Sequence, residues 1–213
     1  VKNHIKNHLK NISGWRTNRK LVIFSVDDYG NVRLASKSAL SNLENSNIPF
    51  NSRFDRLDTL ETRIDLEKLF SVLSSVKDQH AKSAVFTPYA LPCNIDFDAM
   101  AENGFNEYSY ELLPQTYEKL ALKDANAYNG TWGLWKEGIE QGILKPQFHG
   151  REHFNLNIFK DLLYKCNENL LMVLKQFSHV SIPEHDNYSH GWTAAYSFEN
   201  IKETENYLAN VAD

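Results

Sequence analysis

The chain has little cysteine, no long apolar run and no excess of basic charge, and each shortage excludes something. Only Cys93 and Cys166 are present among 213 residues. Two thiols without CxxC spacing are too few for a disulfide scaffold or a cysteine metal site, and they read as buried or idle. No stretch approaches the ~20 apolar residues of a membrane span. Lys and Arg number 23 against 27 Asp and Glu, a net charge of −4, so the basic surface that nucleic-acid affinity rests on is missing. Low-complexity linkers are absent, and the tandem KNH at the start is the only repeat. The opening residues, VKNHIKNHLKN, lack the apolar core of a signal peptide. That slightly favours the cytoplasm, while a first residue of Val leaves the compartment open.

What is present suits a single globular domain over residues 1–213, with 1–19 as an N-terminal helical arm. Hydrophobic residues make up 42% and charged residues 23%, enough for a sizeable core. Val1, Ile5, Leu9 and Ile12 stand at helical spacing. KLVIFSV, 20–26, is nearly continuous in apolar residues and predicts a strand buried on both faces. SAVFTPYAL, 83–91, predicts a second strand, stopped by Pro92, and a short third ends at Phe148. Helical patterns cover about 32–45, 63–76, 131–141, 157–176 and 200–211. This alternation predicts an α/β fold with a mostly parallel sheet.

In such folds chemistry sits at the carboxyl ends of the parallel strands. Two candidate sites lie there. Asp27 and Asp28 follow the first strand, and His149 follows the short third one. Adjacent carboxylates repel unless a cation or proton intervenes. Their alternative role is to begin a turn with Tyr29 and Gly30 and cap the next helix. His149 and His153, four apart, can reach one metal if the second lies on a helical turn. Asp28 would complete a set of two imidazoles and one carboxylate with open positions, a set suited to one divalent ion: zinc, or cobalt, nickel or iron. His4 and His8 share that spacing but lie among Lys2, Lys6 and Lys10 without a carboxylate, so they read as solvated surface.

FSVDDYG, 24–30, followed far downstream by HGREH, 149–153, resembles the polysaccharide deacetylase family (the NodB-homology, carbohydrate esterase 4 group). The resemblance covers mainly residues 20–155. It implies a distorted (β/α) barrel, an acetylated carbohydrate as substrate, Asp27 as catalytic base, and Asp28, His149 and His153 as ligands of a divalent ion, often zinc. Three departures stand beside it. About 120 residues separate the two motifs, the family's Arg-x-Pro-Tyr motif is not found, and no late apolar strand leads to a general-acid His. The closing strands are not legible before residue 213, so an incomplete barrel is expected. His185 and His190 in PEHDNYSHGW read as loop histidines.

HGREH also matches H-x-x-E-H, a zinc metalloprotease pattern with Glu152 as base. That reading needs a continuous helix through the motif and a third ligand such as Glu168 or Glu184. Gly150 weakens the helix, and Asp27 and Asp28 are left without a role. Under the deacetylase reading Glu152 orients a ligand or pairs with Arg151. A glycan-binding pseudoenzyme of the same fold is a further alternative; Trp132 and Trp135 could stack on sugars, but beside Leu134 and Ile139 they read as core. A phosphoacceptor receiver domain would not need the two histidines.

Overall fold

The computed structural model describes residues 14–18, 20–49, 52–193 and 200–212. The N-terminal helix expected over 1–12, with His4 and His8, lies outside them. Three strands form a parallel sheet in the order β1 (Ser25–Tyr29), β2 (Thr87–Ala90), β5 (Gln147–Phe148). An antiparallel pair, β3 (Cys93–Ile95) with β4 (Tyr110–Leu112), stands apart. The fold is therefore mixed α/β with a parallel sheet, as expected; among the described residues the sheet does not close into a barrel.

The helices follow their sequence signals closely where caps exist. Helix α1 (Lys37–Asn45) begins at Ser36, whose hydroxyl accepts from the Ala39 N–H. It starts later than the pattern from Val32 suggested, because residues 32–36 are spent crossing the sheet end. A short α2 (Arg53–Leu57) precedes α3 (Arg63–Ser75), which opens on a reciprocal Thr62–Asp65 capping box. Then come α4 (Phe97–Glu102), α5 (Leu113–Lys123), α6 (Ala125–Tyr128) and α7 (Thr131–Glu140). The single helix expected over 157–176 is two, α8 (Leu156–Tyr164) and α9 (Glu168–Lys175). Cys166 takes a φ of 50° and Asn167 caps the second helix through Leu170 N–H. A 3₁₀ turn, Pro183–Asn187, and α10 (Ile201–Ala212) end the described chain. No helix among the described residues is long and apolar enough to cross a membrane.

Two apolar clusters hold these elements. One packs Leu66 and Leu73 of α3, Tyr117 of α5 and Trp135 of α7 onto Phe86 and Val32 beside the sheet. The other gathers α1, α4, α8 and α9 around Phe154, Phe159 and Trp192. Trp135 is buried and Trp132 packs against its cluster, so both tryptophans serve the core as expected. Cys93 is buried and Cys166 exposed, both free.

The first strand departs from expectation. Pairing begins at Ser25, and Leu21, Val22, Ile23 and Phe24 are exposed, Val22 by 81% and Ile23 by 77%. An apolar run is buried on both faces only when layers pack over both faces of the sheet, and these four side chains lie ahead of the paired segment. Among the described residues β1 is an edge strand paired with β2 alone.

Candidate metal centre

The site is made by a bulge. Along β1, Val26 faces Pro88 and Tyr29 faces Ala90, so Asp27 and Asp28 together oppose the single residue Tyr89. One extra residue breaks the two-residue alternation and re-aims a side chain. Asp28 absorbs the irregularity with a φ of 62°, a left-handed conformation that Asp tolerates better than most residues. Just after it, Gly30 has a φ of 88°, and a Cβ there would lie 2.6 Å from the Leu91 carbonyl oxygen. The buried Asn94 clamps this turn, donating to the Gly30 carbonyl at 2.8 Å and accepting from the Val32 N–H at 2.9 Å.

On the neighbouring strand end, His149 N–H donates to the Ala90 carbonyl at 3.0 Å, continuing the β2–β5 ladder one residue past β5. Its ring meets Tyr89 edge-on and stacks on His153 at 5.9 Å between centroids. None of residues 149–155 is helical: 151–154 form bends, and Gly150 has a φ of 122°. His153 therefore reaches the site without the helical turn that its spacing suggested.

These segments bring Asp28, His149 and His153 together, with one possible ligand atom from each lying within 4.8 Å of the others. Asp28 Oδ1 stands 3.3 Å from His149 Nε2 and 2.7 Å from His153 Nε2. Two ligands about 2.05 Å from a tetrahedral ion lie roughly 3.3 Å apart, so the first separation fits and the second needs only a small opening. Asp28 Oδ1 is buried, and the two imidazole nitrogens are what approach it, His153 the nearer. Burial works to raise the Asp28 carboxyl; the close His153, then Arg33 and His149, outweigh it and hold the group below its ordinary value. The residues fit a divalent ion in type, number and spacing.

The surroundings of His153 set one condition. Arg33 Nη2 lies 3.1 Å from His153 Nδ1. Because guanidinium can only donate, Nδ1 holds a lone pair and the neutral ring carries its proton on Nε2. Ligation through Nε2 moves that proton, and Arg33 must turn toward Asp55 or Asp58, whose oxygens already lie 3.7 and 3.5 Å from it. A metal-bound His usually donates its second N–H to an acceptor.

Asp27 is exposed and forms no hydrogen bond or ion pair with the described residues. Glu152 is the opposite case. It is 3% exposed, its Oε1 accepts from Arg151 Nε at 2.5 Å and Tyr108 at 2.9 Å, and its Oε2 accepts from Tyr207 at 3.2 Å. Pairing with Arg151 was one of its expected roles.

Arg33, Asp58 and His179 were not legible in the sequence. Asp58 is pushed up by burial against the pull of Arg33, with Asp28 adding to the rise. His179 is fully buried, its backbone N–H donates to the Arg33 carbonyl at 2.9 Å, and its Nε2 lies 3.0 Å from Asn31 Oδ1. Burial, then the charges of Arg33 and His153, lower its pKa to about 3. His185, read as a loop histidine, lies in the 3₁₀ turn and is buried.

Compared with protein-family models, with curated proteins and with solved structures, the chain matches none.

Proposed function

We propose that the chain is a metal-dependent hydrolase that removes acetyl groups from an N- or O-acetylated carbohydrate, built on a deacetylase-type fold. The observation that carries this reading is the convergence of Asp28, His149 and His153 from two distant motifs at adjacent parallel strand ends. Asp28 Oδ1, buried and approached by both imidazole nitrogens, is the carboxylate atom placed to share a cation with them.

In this reading Asp28, His149 and His153 hold the ion, zinc being best suited to two imidazoles and one carboxylate. A divalent ion there supplies Lewis-acid polarisation of the acyl carbonyl and a more acidic water. Asp27, next to a ligand yet exposed and uncommitted, is free to take the proton of the attacking water. Arg33, within reach of His153, Asp55 and Asp58, places a fixed positive charge beside the anionic side of the site. The leaving amine or alcohol needs a proton donor that these residues do not identify.

A zinc protease of the H-x-x-E-H type fits less well. Its base would be Glu152, whose two oxygens are occupied by three donors, and its motif would lie in a helix, whereas none of residues 149–155 is helical. The deciding test compares hydrolysis of acetylated saccharides and chromogenic acetyl esters with hydrolysis of peptides by the purified protein. Acetate release supports the proposal. Peptide cleavage abolished by Glu152→Gln overturns it, and saccharide binding without any turnover points to a pseudoenzyme.

A further inference from the structure

A cavity of about 560 Å³ lies apart from the triad residues. Its walls include Ser52, Asp55, Ser181, His185, Asp186 and Trp192. Arg33 bridges the two places, 3.7 Å from Asp55 in the cavity wall and 3.1 Å from His153 in the triad. The volume falls among those of ligand pockets, roughly 300–1,000 Å³.

The lining selects among ligand classes. It contains two carboxylates and no Lys or Arg, and residues 50–51 and 194–199, which adjoin it in sequence, contain none either. Phosphates and other anions are therefore disfavoured. Serine hydroxyls, carboxylates and imidazole make the walls too polar for an acyl chain or lipid.

One buried group lacks a partner. His185 is 6% exposed and stacks on Trp192 at 3.7 Å between centroids, while Phe154 stacks on Trp192 at 5.2 Å. Its Nδ1 accepts the Ile182 N–H at 3.2 Å, which leaves the proton of the neutral ring on Nε2. Burial lowers its pKa to about 4, so the ring is neutral near pH 7. Nε2 finds no acceptor among the described residues. Buried donors are nearly always satisfied, and a ligand hydroxyl in this cavity would supply the acceptor.

We propose that this cavity is a binding subsite for one unit of an uncharged or amino saccharide, adjoining the unit whose acyl group is presented to the metal centre. The adjoining role rests on the hydrolase reading above; the binding itself does not. His185 donates to a sugar hydroxyl, and Asp55, Asp186 and the serines meet the others.

The test is ¹⁹F NMR of protein labelled with fluorotryptophan, which has four tryptophans to resolve, Trp192 being assigned by Trp192→Phe. The protein is titrated with cellobiose, chitobiose, N,N′-diacetylchitobiose and, as anionic control, glucose 6-phosphate. A saturable shift of Trp192 with at least one of the disaccharides, and none with the sugar phosphate, is expected. His185→Phe, which keeps the ring stack, and Ser189→Tyr, which narrows the exposed rim, should each weaken binding by about tenfold or more. No saturable shift with any disaccharide, a stronger response to glucose 6-phosphate, or unweakened binding in both variants overturns the proposal. Chitobiose carries no acyl group, so its binding is independent of hydrolysis. Binding without turnover of any acetylated saccharide would sink the hydrolase reading and keep the subsite; turnover with a silent Trp192 would do the reverse.

Discussion

Asp28 and Glu152 are two carboxylates associated with the same pair of histidines, one beside their rings and one within their motif, and their surroundings differ in kind. Glu152 is enclosed by Arg151, Tyr108 and Tyr207, with Arg151 also covering the Tyr110 ring at 4.5 Å and donating to the Asn210 carbonyl. It ties the HGREH segment to β4 and α10. Asp28 Oδ1 instead faces the two histidine nitrogens at 3.3 and 2.7 Å, held there by a bulge and a positive φ. A carboxylate enclosed by Arg and Tyr donors stabilises the fold; one grouped with two imidazoles at ligand spacing can share a cation with them. The motif spacing alone, which made Glu152 the tempting base, does not carry this distinction.

The largest effect should fall on the open carboxylate's neighbour. Asp27→Asn leaves the three ligands intact and is expected to lower turnover about 100- to 10,000-fold, the usual worth of a positioned general base, at unchanged metal stoichiometry. Steady-state kinetics with metal analysis checks this. Retained turnover, or metal loss equal to that of Asp28→Asn, breaks the division into base and ligand.

Next comes the sealed carboxylate. Glu152→Gln leaves the buried Arg151 without its charge partner, and unpairing a buried ion pair costs about 3–5 kcal/mol. Denaturant unfolding should show a loss of that order, with metal still bound and turnover reduced only about 10- to 100-fold. Asp28→Asn should do the converse. Asn also tolerates the left-handed backbone, so metal-free stability should change by less than about 1 kcal/mol while metal affinity collapses. Equal stability losses in the two variants would erase the contrast.

A smaller effect concerns pH. His179 and His185 have folded pKa values near 3 and 4, below the unfolded value of about 6.5. The unfolded chain therefore binds more protons between those limits, and stability falls as pH drops below about 6.5, by up to ~1.4 kcal/mol per pH unit for each histidine. Unfolding at pH 7, 6 and 5 measures the slope, and His185→Phe should make it shallower by about one proton. An unchanged slope would mean that His185 is not held neutral by burial.

The sequence showed the three convergent residues because each lay at a recognisable boundary: an apolar run ending in two aspartates, and a short strand ending in histidine. It also placed α3 and α7 within a residue or two, since capping and periodicity agree there. It could not show that the run at 21–24 is exposed, because whether anything packs over the faces of a segment is a property of the tertiary fold. Strands β3 and β4, three residues each, are too short for alternation to register. The break at Cys166 interrupts a continuous apolar periodicity, and only the Asn167 cap marked it. Arg33, Asp58 and His179 come from three separated loops, so no spacing rule joins them; the fold alone makes them neighbours of His153.

The claim that these contacts form a metal centre is tested most directly by metal content. Elemental analysis of the wild type against His149→Ala, His153→Ala and the His4→Ala/His8→Ala double variant should give one divalent ion per chain in the wild type and the double variant, and little in the two single variants. An unchanged content in His149→Ala and His153→Ala, or equal loss from the N-terminal pair, would contradict the account.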